Sequence, residues 1–266
     1  MPSAPRALVI RTAGTNCDGE MVRAFSLAGA APDLVHLDRL IADPARIGAY
    51  DIIGFPGGFS YGDDAGAGRV FAVRVREKLW PALRDAAMRA VPMIGVCNGF
   101  QVMVQIGLLP GCQVGAWPDT PPEQTVALAQ NLRGRFIDDW EPLIPDRRSN
   151  CIWTGDLPDD PLLMQLPLAH GEGRFVTARD DLLAALAQSG QVPLRYGRNL
   201  NGSAGAVAGL CDPSGRIFGL MPHPDRFLEW MHHPSATRLP QERKRGPAPG
   251  LRFFLNAVEA ARAVQV

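Results

Sequence analysis

The sequence predicts an α/β fold with a mostly parallel central sheet flanked by helices and a small antiparallel insertion. Three observations lead there. Through the first half of the chain, short β-branched or apolar runs alternate with amphipathic helical stretches, the pattern of repeated strand–helix–strand units. Glycine-rich turns separate these runs. Hydrophobic residues make up 46% of the chain and charged residues 20%, enough apolar material to cover a sheet without the composition of a disordered protein. A length of 266 residues is compatible with one α/β domain spanning residues 1–266.

Taken in order, residues 7–11 read as the first strand, residues 14–19 as a turn and residues 20–29 as a helix. Strands follow at 33–37 and 51–55, the latter running into the glycine-rich loop PGGFSYGDDAGAG. A long helix is expected over 70–89, bent or divided at Pro81, because proline lacks the N–H that a helix interior needs. Residues 92–96 form a compact apolar run and 99–109 continue at helical spacing, so Cys97 falls on the junction. From 112 to 153 the character shifts towards antiparallel strands and loops, with prolines at 118, 121, 122, 142 and 145. A short helix at 180–189 precedes a hairpin of 204–210 and 216–221, turned at Asp212-Pro213-Ser214-Gly215. An extended proline-rich, basic loop at 232–250 leads into a closing helix beginning at 251 and taken to the end of the chain. No internal repeat is present.

Composition also narrows the function. Lysine plus arginine and aspartate plus glutamate both total 27, so no net charge calls for nucleic acid or an anionic membrane as partner. The ERKRG stretch from Glu242 reads as a solvated loop rather than a nucleic-acid arm. Five widely spaced cysteines, with no C-x-x-C pair, argue against a disulfide framework or a metal site. The N-terminal apolar run is too short for a secretory signal and nothing later approaches a membrane span, so the expected location is the cytoplasm.

Gly95-Val96-Cys97-Asn98-Gly99 has the G-x-nucleophile-x-G form of a nucleophile elbow. Flanking glycines remove the Cβ atoms that would clash where a strand turns abruptly into a helix, and the helix N-terminus favours a thiolate over a thiol. A lone cysteine is more often a small buried hydrophobe. The glycines and the strand–helix junction reverse that preference. Attack on an amide needs a base that later protonates the departing ammonia, usually histidine. His223, ending the run IFGLMP, is better placed than His36, His232 or His233, and Asp225 is two residues on. In an extended segment both would project to one side, letting Asp225 orient the ring. A strand-end histidine that caps backbone groups is the plainer alternative. Gly57-Gly58 follows the third strand, where the Gly58 N–H, with that of Asn98, could face a developing oxyanion. An ordinary flexible turn fits the glycine pair equally well. The loop has neither a G-K-[ST] ending nor G-x-G-x-x-G spacing, so a nucleotide site is set aside.

GVCNGFQ with the downstream H-P-acid string resembles the class I glutamine amidotransferases, with their flavodoxin-like fold. TAGTNCDGE, FPGGFSYGDDAGAG, NLRGRF, LAHGEGRF and GLMPHPDR together resemble the glutaminase subunits of phosphoribosylformylglycinamidine synthase, from purine biosynthesis. The resemblance implies Cys97 as nucleophile, His223 as general base and acid, Asp225 as orienting acid, and Gly58 and Asn98 as oxyanion donors. It places Gln101 against the substrate glutamine, and His170, Gly171 and Glu172 near the same pocket; for His170 a structural hydrogen-bonding role stands beside that one. It further implies an ATP-dependent carbon–nitrogen ligase in which a large synthase subunit, with a small accessory subunit, receives the ammonia. ATP and Mg²⁺ would belong to that partner, with no cofactor and no metal in this chain. The sequence departs from the family in Asp225 where glutamate is usual, in Ala13 where proline is common, and in the extended loop after Trp230. Two other readings remain at this point: a cysteine hydrolase acting alone, of peptidase or γ-glutamyl hydrolase type, and a catalytically weakened glutamine-binding subunit.

Overall fold

The computed structural model describes residues 3–112 and 117–264. Nine strands form one sheet. Five are parallel: β1 (Arg6–Arg11), β2 (Ala31–His36), β3 (Ile52–Phe55), β4 (Met93–Val96) and β11 (Ile217–Leu220), in the order β2-β1-β3-β4-β11. Four antiparallel strands continue from there: β10 (Val207–Cys211), β9 (Leu194–Tyr196), β6 (Ile137–Pro145) and β7 (Gln165–His170). A separate two-stranded antiparallel sheet pairs β5 (Val126–Ala129) with β8 (Arg174–Thr177).

Helices cover both faces of the parallel half because successive strand residues point to opposite sides. On β3, Gly54 faces Met21 and Phe25 of α1 (Asp18–Leu27), while Phe55 packs 6.2 Å from Phe71 of α3 (Arg69–Lys78). The closing helix α7 (Pro249–Val264) shares the α1 face, with Phe254 edge-on to Phe25 at 5.1 Å. β3 and β4 are buried along their whole length, as expected of strands covered on both sides.

Most expected elements form, with instructive shifts. The long helix divides: α3 ends at Lys78 and α4 (Trp80–Met88) begins afresh with Pro81 in its first turn, where its missing N–H costs nothing. The strand expected at 33–37 stops one residue early. His36 instead caps a short helix, α2 (Leu37–Ala42), its Nδ1 accepting the Asp38 N–H. Ala204–Ala206 is a 3₁₀ turn rather than the start of the hairpin, whose turn is held by Asp212 carboxylate bonds to Ser214, Arg216 and Ile217 N–H groups. The antiparallel character expected over 112–153 is present in β5 and β6, although residues 113–116 of that span, like 265 and 266 of the closing helix, lie outside the described residues. The strand partners β7, β8 and β9 were not foreseen: β9 joins β6 to the main sheet, β7 adds its edge, and β8 pairs with β5.

The 232–250 loop packs instead of dangling. His233 is buried between the rings of Trp140 and Phe227, and its Nε2–H donates to the Leu162 carbonyl. Arg243 of the basic stretch is exposed and pairs with Asp160. Among the described residues no helix is long and apolar enough to cross a membrane.

Candidate active site

β4 and β11 are parallel neighbours, with Val96 in register with Leu220. Both chains leave at the carboxyl edge of the sheet, where α/β proteins place their ligands. Cys97 sits between β4 and α5 (Asn98–Ile106) at φ 52° and ψ −108°, a backbone state that costs a non-glycine residue roughly 1–3 kcal/mol. Its N–H donates to the Leu220 carbonyl at 2.8 Å, fixing the elbow to β11. The flanking glycines are sterically required. A Cβ at Gly99 would lie 1.9 Å from the Phe55 carbonyl oxygen, and one at Gly95 would lie 2.4 Å from Met103 Sδ.

His223 follows β11, buried, with its N–H bonded to the Pro167 carbonyl. Asp225 reaches it through a 3₁₀ turn, Pro224–Arg226, and not along an extended segment as expected, because Pro224 starts a helical turn there. His223 Nδ1 and Asp225 Oδ1 are 3.3 Å apart, yet neither of them, nor Asp225 Oδ2, makes an aligned hydrogen bond. Burial favours the neutral ring, but the Asp225 carboxylate and the Cys97 sulfur outweigh it and hold the His223 pKa well above the ordinary value. His223 and Cys97 converge on Gly57: a Cβ there would be 2.7 Å from His223 Cε1 and 3.4 Å from Cys97 Cβ.

A cleft of about 200 Å³ is lined by Gly58, Cys97, Gln101, His170, Gly171 and Glu172, which brings together six of the residues singled out from sequence. Gly58 has φ 135°, and a Cβ on it would strike the Asn16 N at 2.3 Å, so the loop passes where only glycine fits. The Asn98 side chain braces that loop to the elbow: its Oδ1 accepts from Ser60 N–H, and its Nδ2 donates to Asp63 and to Gln101 Oε1 at 3.0 Å. The Gln101 amide in turn donates to the Glu172 carbonyl, and Glu172 Oε2 accepts the Ala67 N–H at 3.2 Å. Burial raises the pKa of Asp63, a further acid lining the cleft.

Asn131, within NLRGRF, was not singled out from sequence, yet it organises the loop after β7. Its Oδ1 accepts from Gly173 N–H and faces His170 Nδ1 at 3.1 Å, while its Nδ2 donates to the His170 carbonyl. His170 Nδ1 must therefore carry the proton, leaving Nε2 a buried lone pair with no protein partner. Burial, then the charge on His223, lowers the His170 pKa from 6.5 to about 4. Cys17 was also missed. This buried thiol stands beside His223 and Asp225, takes a hydrogen bond from Arg226 at 3.0 Å, and is held by its own N–H to the Gly57 carbonyl. Its segment reads as an ordinary turn, and only the fold carries it to the histidine.

A strained cysteine and a glycine loop share the cleft, while the buried His223–Asp225 pair stands behind Gly57 outside its lining; together these are the equipment of a cysteine-dependent amide-cleaving α/β enzyme. The profile of the CobB/CobQ-like glutamine amidotransferase domain matches residues 4–259. The PurQ subunit of phosphoribosylformylglycinamidine synthase from Dehalococcoides mccartyi is 39% identical over 98% of this chain and 100% of its own length. The same subunit from Treponema denticola is 40% identical over 83% of this chain and 87% of its own. A solved structure, that of PurLQS from Thermotoga maritima, superposes with a TM-score of 0.72 at 32% identity, covering 97% of this chain and 99% of the other. This chain belongs to the CobB/CobQ-like glutamine amidotransferases and, within them, to the family of PurQ subunits of phosphoribosylformylglycinamidine synthase.

Proposed function

We propose that the chain hydrolyses glutamine at Cys97 and supplies the ammonia to a synthase subunit, which converts formylglycinamide ribonucleotide to formylglycinamidine ribonucleotide. The observation that carries this reading is the placing of Cys97 and the Gly58 loop on one cleft, with His223 packed against Gly57 beside Cys97, in a chain related to PurQ subunits over nearly its whole length.

In this reading the Cys97 sulfur attacks the side-chain amide carbon of glutamine. The developing oxyanion is met by the backbone N–H groups of Gly58 and Asn98. His223, positively charged beside Asp225, gives its proton to the departing ammonia, leaving a thioester on Cys97. Water activated by the now neutral His223 then releases glutamate and restores the thiol. Gln101, with Gly171 and Glu172, would hold the amino-acid end of the substrate, and His170, already bonded to Asn131, would form part of the wall. ATP and Mg²⁺ are assigned to the synthase partner, and the five free thiols support a reducing cytoplasm as the location. A docked partner is supported by the cleft's rim, where Phe59 and Phe136 stack at 6.4 Å while staying 47% and 53% exposed.

Reconstitution with a synthase subunit tests the assignment. Cys97→Ala should abolish glutamine-driven amidation and leave amidation from added ammonium salts intact. Glutamine-driven turnover that survives the substitution would overturn it.

A further inference from the structure

Cys17, His223 and Asp225 come from opposite ends of the chain, yet one donor atom of each, a sulfur, a ring nitrogen and a carboxylate oxygen, lies within 4.8 Å of the others. All three residues are buried, at 1%, 2% and 2% relative exposure. Such a cluster would ordinarily be knit together by hydrogen bonds. Here His223 Nδ1 and both Asp225 carboxylate oxygens lack an aligned partner, although each has no contact with solvent. A buried carboxylate that has the His223 ring at 3.3 Å but no aligned hydrogen bond is costly, and a divalent cation of matching chemistry lowers that cost.

We infer that Cys17, His223 and Asp225 form a binding site for a thiophilic divalent transition-metal ion, with Zn²⁺ as the best match, and that filling it silences the glutaminase. A thiolate, an imidazole and a carboxylate are the three donor types that zinc takes up, and a three-residue set leaves a fourth position for water. Bonds of about 2.0–2.3 Å place tetrahedral zinc donors about 3.3–3.8 Å apart. The His223–Asp225 pair already meets that at 3.3 Å, and the Cys17 sulfur, within 4.8 Å of both, closes on them when the ion binds. Thiolate and carboxylate together neutralise the ion. Arg226, 36% exposed, donates to the Cys17 sulfur from the solvent side. Binding releases the thiol proton and the proton that His223 carries towards Asp225. A metal there takes the ring out of proton transfer without touching Cys97. The site itself does not depend on the glutaminase reading; only the inhibitory consequence rests on it.

Cobalt is the probe, since four-coordinate Co²⁺ with a thiolate ligand shows visible d–d bands and a sulfur-to-metal charge-transfer band. The full chain titrated with Co²⁺, and then with Zn²⁺ in competition, should give these bands at one equivalent, and Cys97→Ala should give them unchanged. Cys17→Ser should lose the charge-transfer band, and Asp225→Asn should bind at least tenfold more weakly; the second variant decides the matter if the first fails to fold. Zn²⁺ should also raise the thermal midpoint of the wild type and of Cys97→Ala but not of Cys17→Ser. Bands that persist in Cys17→Ser, bands lost in Cys97→Ala, or no bands at all would each overturn the site. Inhibition is read separately: wild-type glutaminase in the reconstituted complex should fall at least tenfold with stoichiometric Zn²⁺ and recover with chelator. If cobalt binds as described but glutamine is never hydrolysed, the glutaminase reading fails and the site stands.

Discussion

Cys97 and His223 leave neighbouring parallel strands at the same edge of the sheet, but the two ends are held in opposite ways. On the Cys97 side every constraint is satisfied. Gly95 and Gly99 clear the turn, the Cys97 N–H is bonded to β11, and Asn98 bridges the elbow to the Gly58 loop. On the His223 side the groups are loosely joined. Asp225, two residues on, stands 3.3 Å from the ring without an aligned hydrogen bond, and the Cys17 thiol that joins them comes from the segment just before the first helix. The contrast teaches that strain at a nucleophile can be built into five consecutive residues, whereas charge on a base is set by whatever the fold packs around it.

The sharpest way to break this comparison is to remove the base. His223→Ala should lower glutaminase kcat by about 10²–10⁴-fold in the reconstituted complex, the usual scale for general acid–base catalysis. A loss under tenfold would mean the ring is not the proton carrier. On the other side, Gly99→Ala should cost about 3 kcal/mol or more of folding stability by denaturant titration, since its Cβ would sit 1.9 Å from a backbone oxygen. A neutral result would show that the elbow can relax.

The two histidines give the next test, because their shifts have opposite signs. His223 has a raised pKa, so it stabilises the fold at pH below the ordinary histidine value of 6.5, and that contribution fades as pH rises through its folded pKa. His170, lowered from 6.5 to about 4, does the reverse: stability falls by up to roughly 3 kcal/mol as pH drops across that interval. Chemical denaturation of the wild type and of His170→Gln at a series of pH values should show the acid decline flattened in the variant. The smallest effect is expected at the acid. Asp225→Asn should reduce kcat by less than loss of the ring does, while Asp225→Glu, which restores the missing methylene, should change it only a few-fold. If Asp225→Asn left kcat and its pH profile untouched, the carboxylate would have no part in orienting the ring.

Much of the site was legible in sequence because its signals are short-range. GVCNG announces a strand–helix turn through its glycines alone, and Gly58 follows a recognisable strand. Asp225 was legible too, though for the wrong reason: its proximity to His223 comes from a proline-initiated turn and not from extended alternation. Asn131, Asp63 and Cys17 carried no such signal. Each acts through a partner distant in the chain, such as the Asn131 bonds to His170 and Gly173, and no periodicity or spacing encodes that.

The sequence by itself determined the first four parallel strands and the elbow at Cys97, since hydrophobic period and glycine sterics act over a few residues. Only the tertiary structure decided that β7 and β9 complete the antiparallel half, that Asn131 fixes the His170 tautomer, and that Cys17 stands against His223 and Asp225. Those outcomes depend on burial and on electrostatics between remote segments. Such energies come into being only when the chain has closed on itself and water has been excluded.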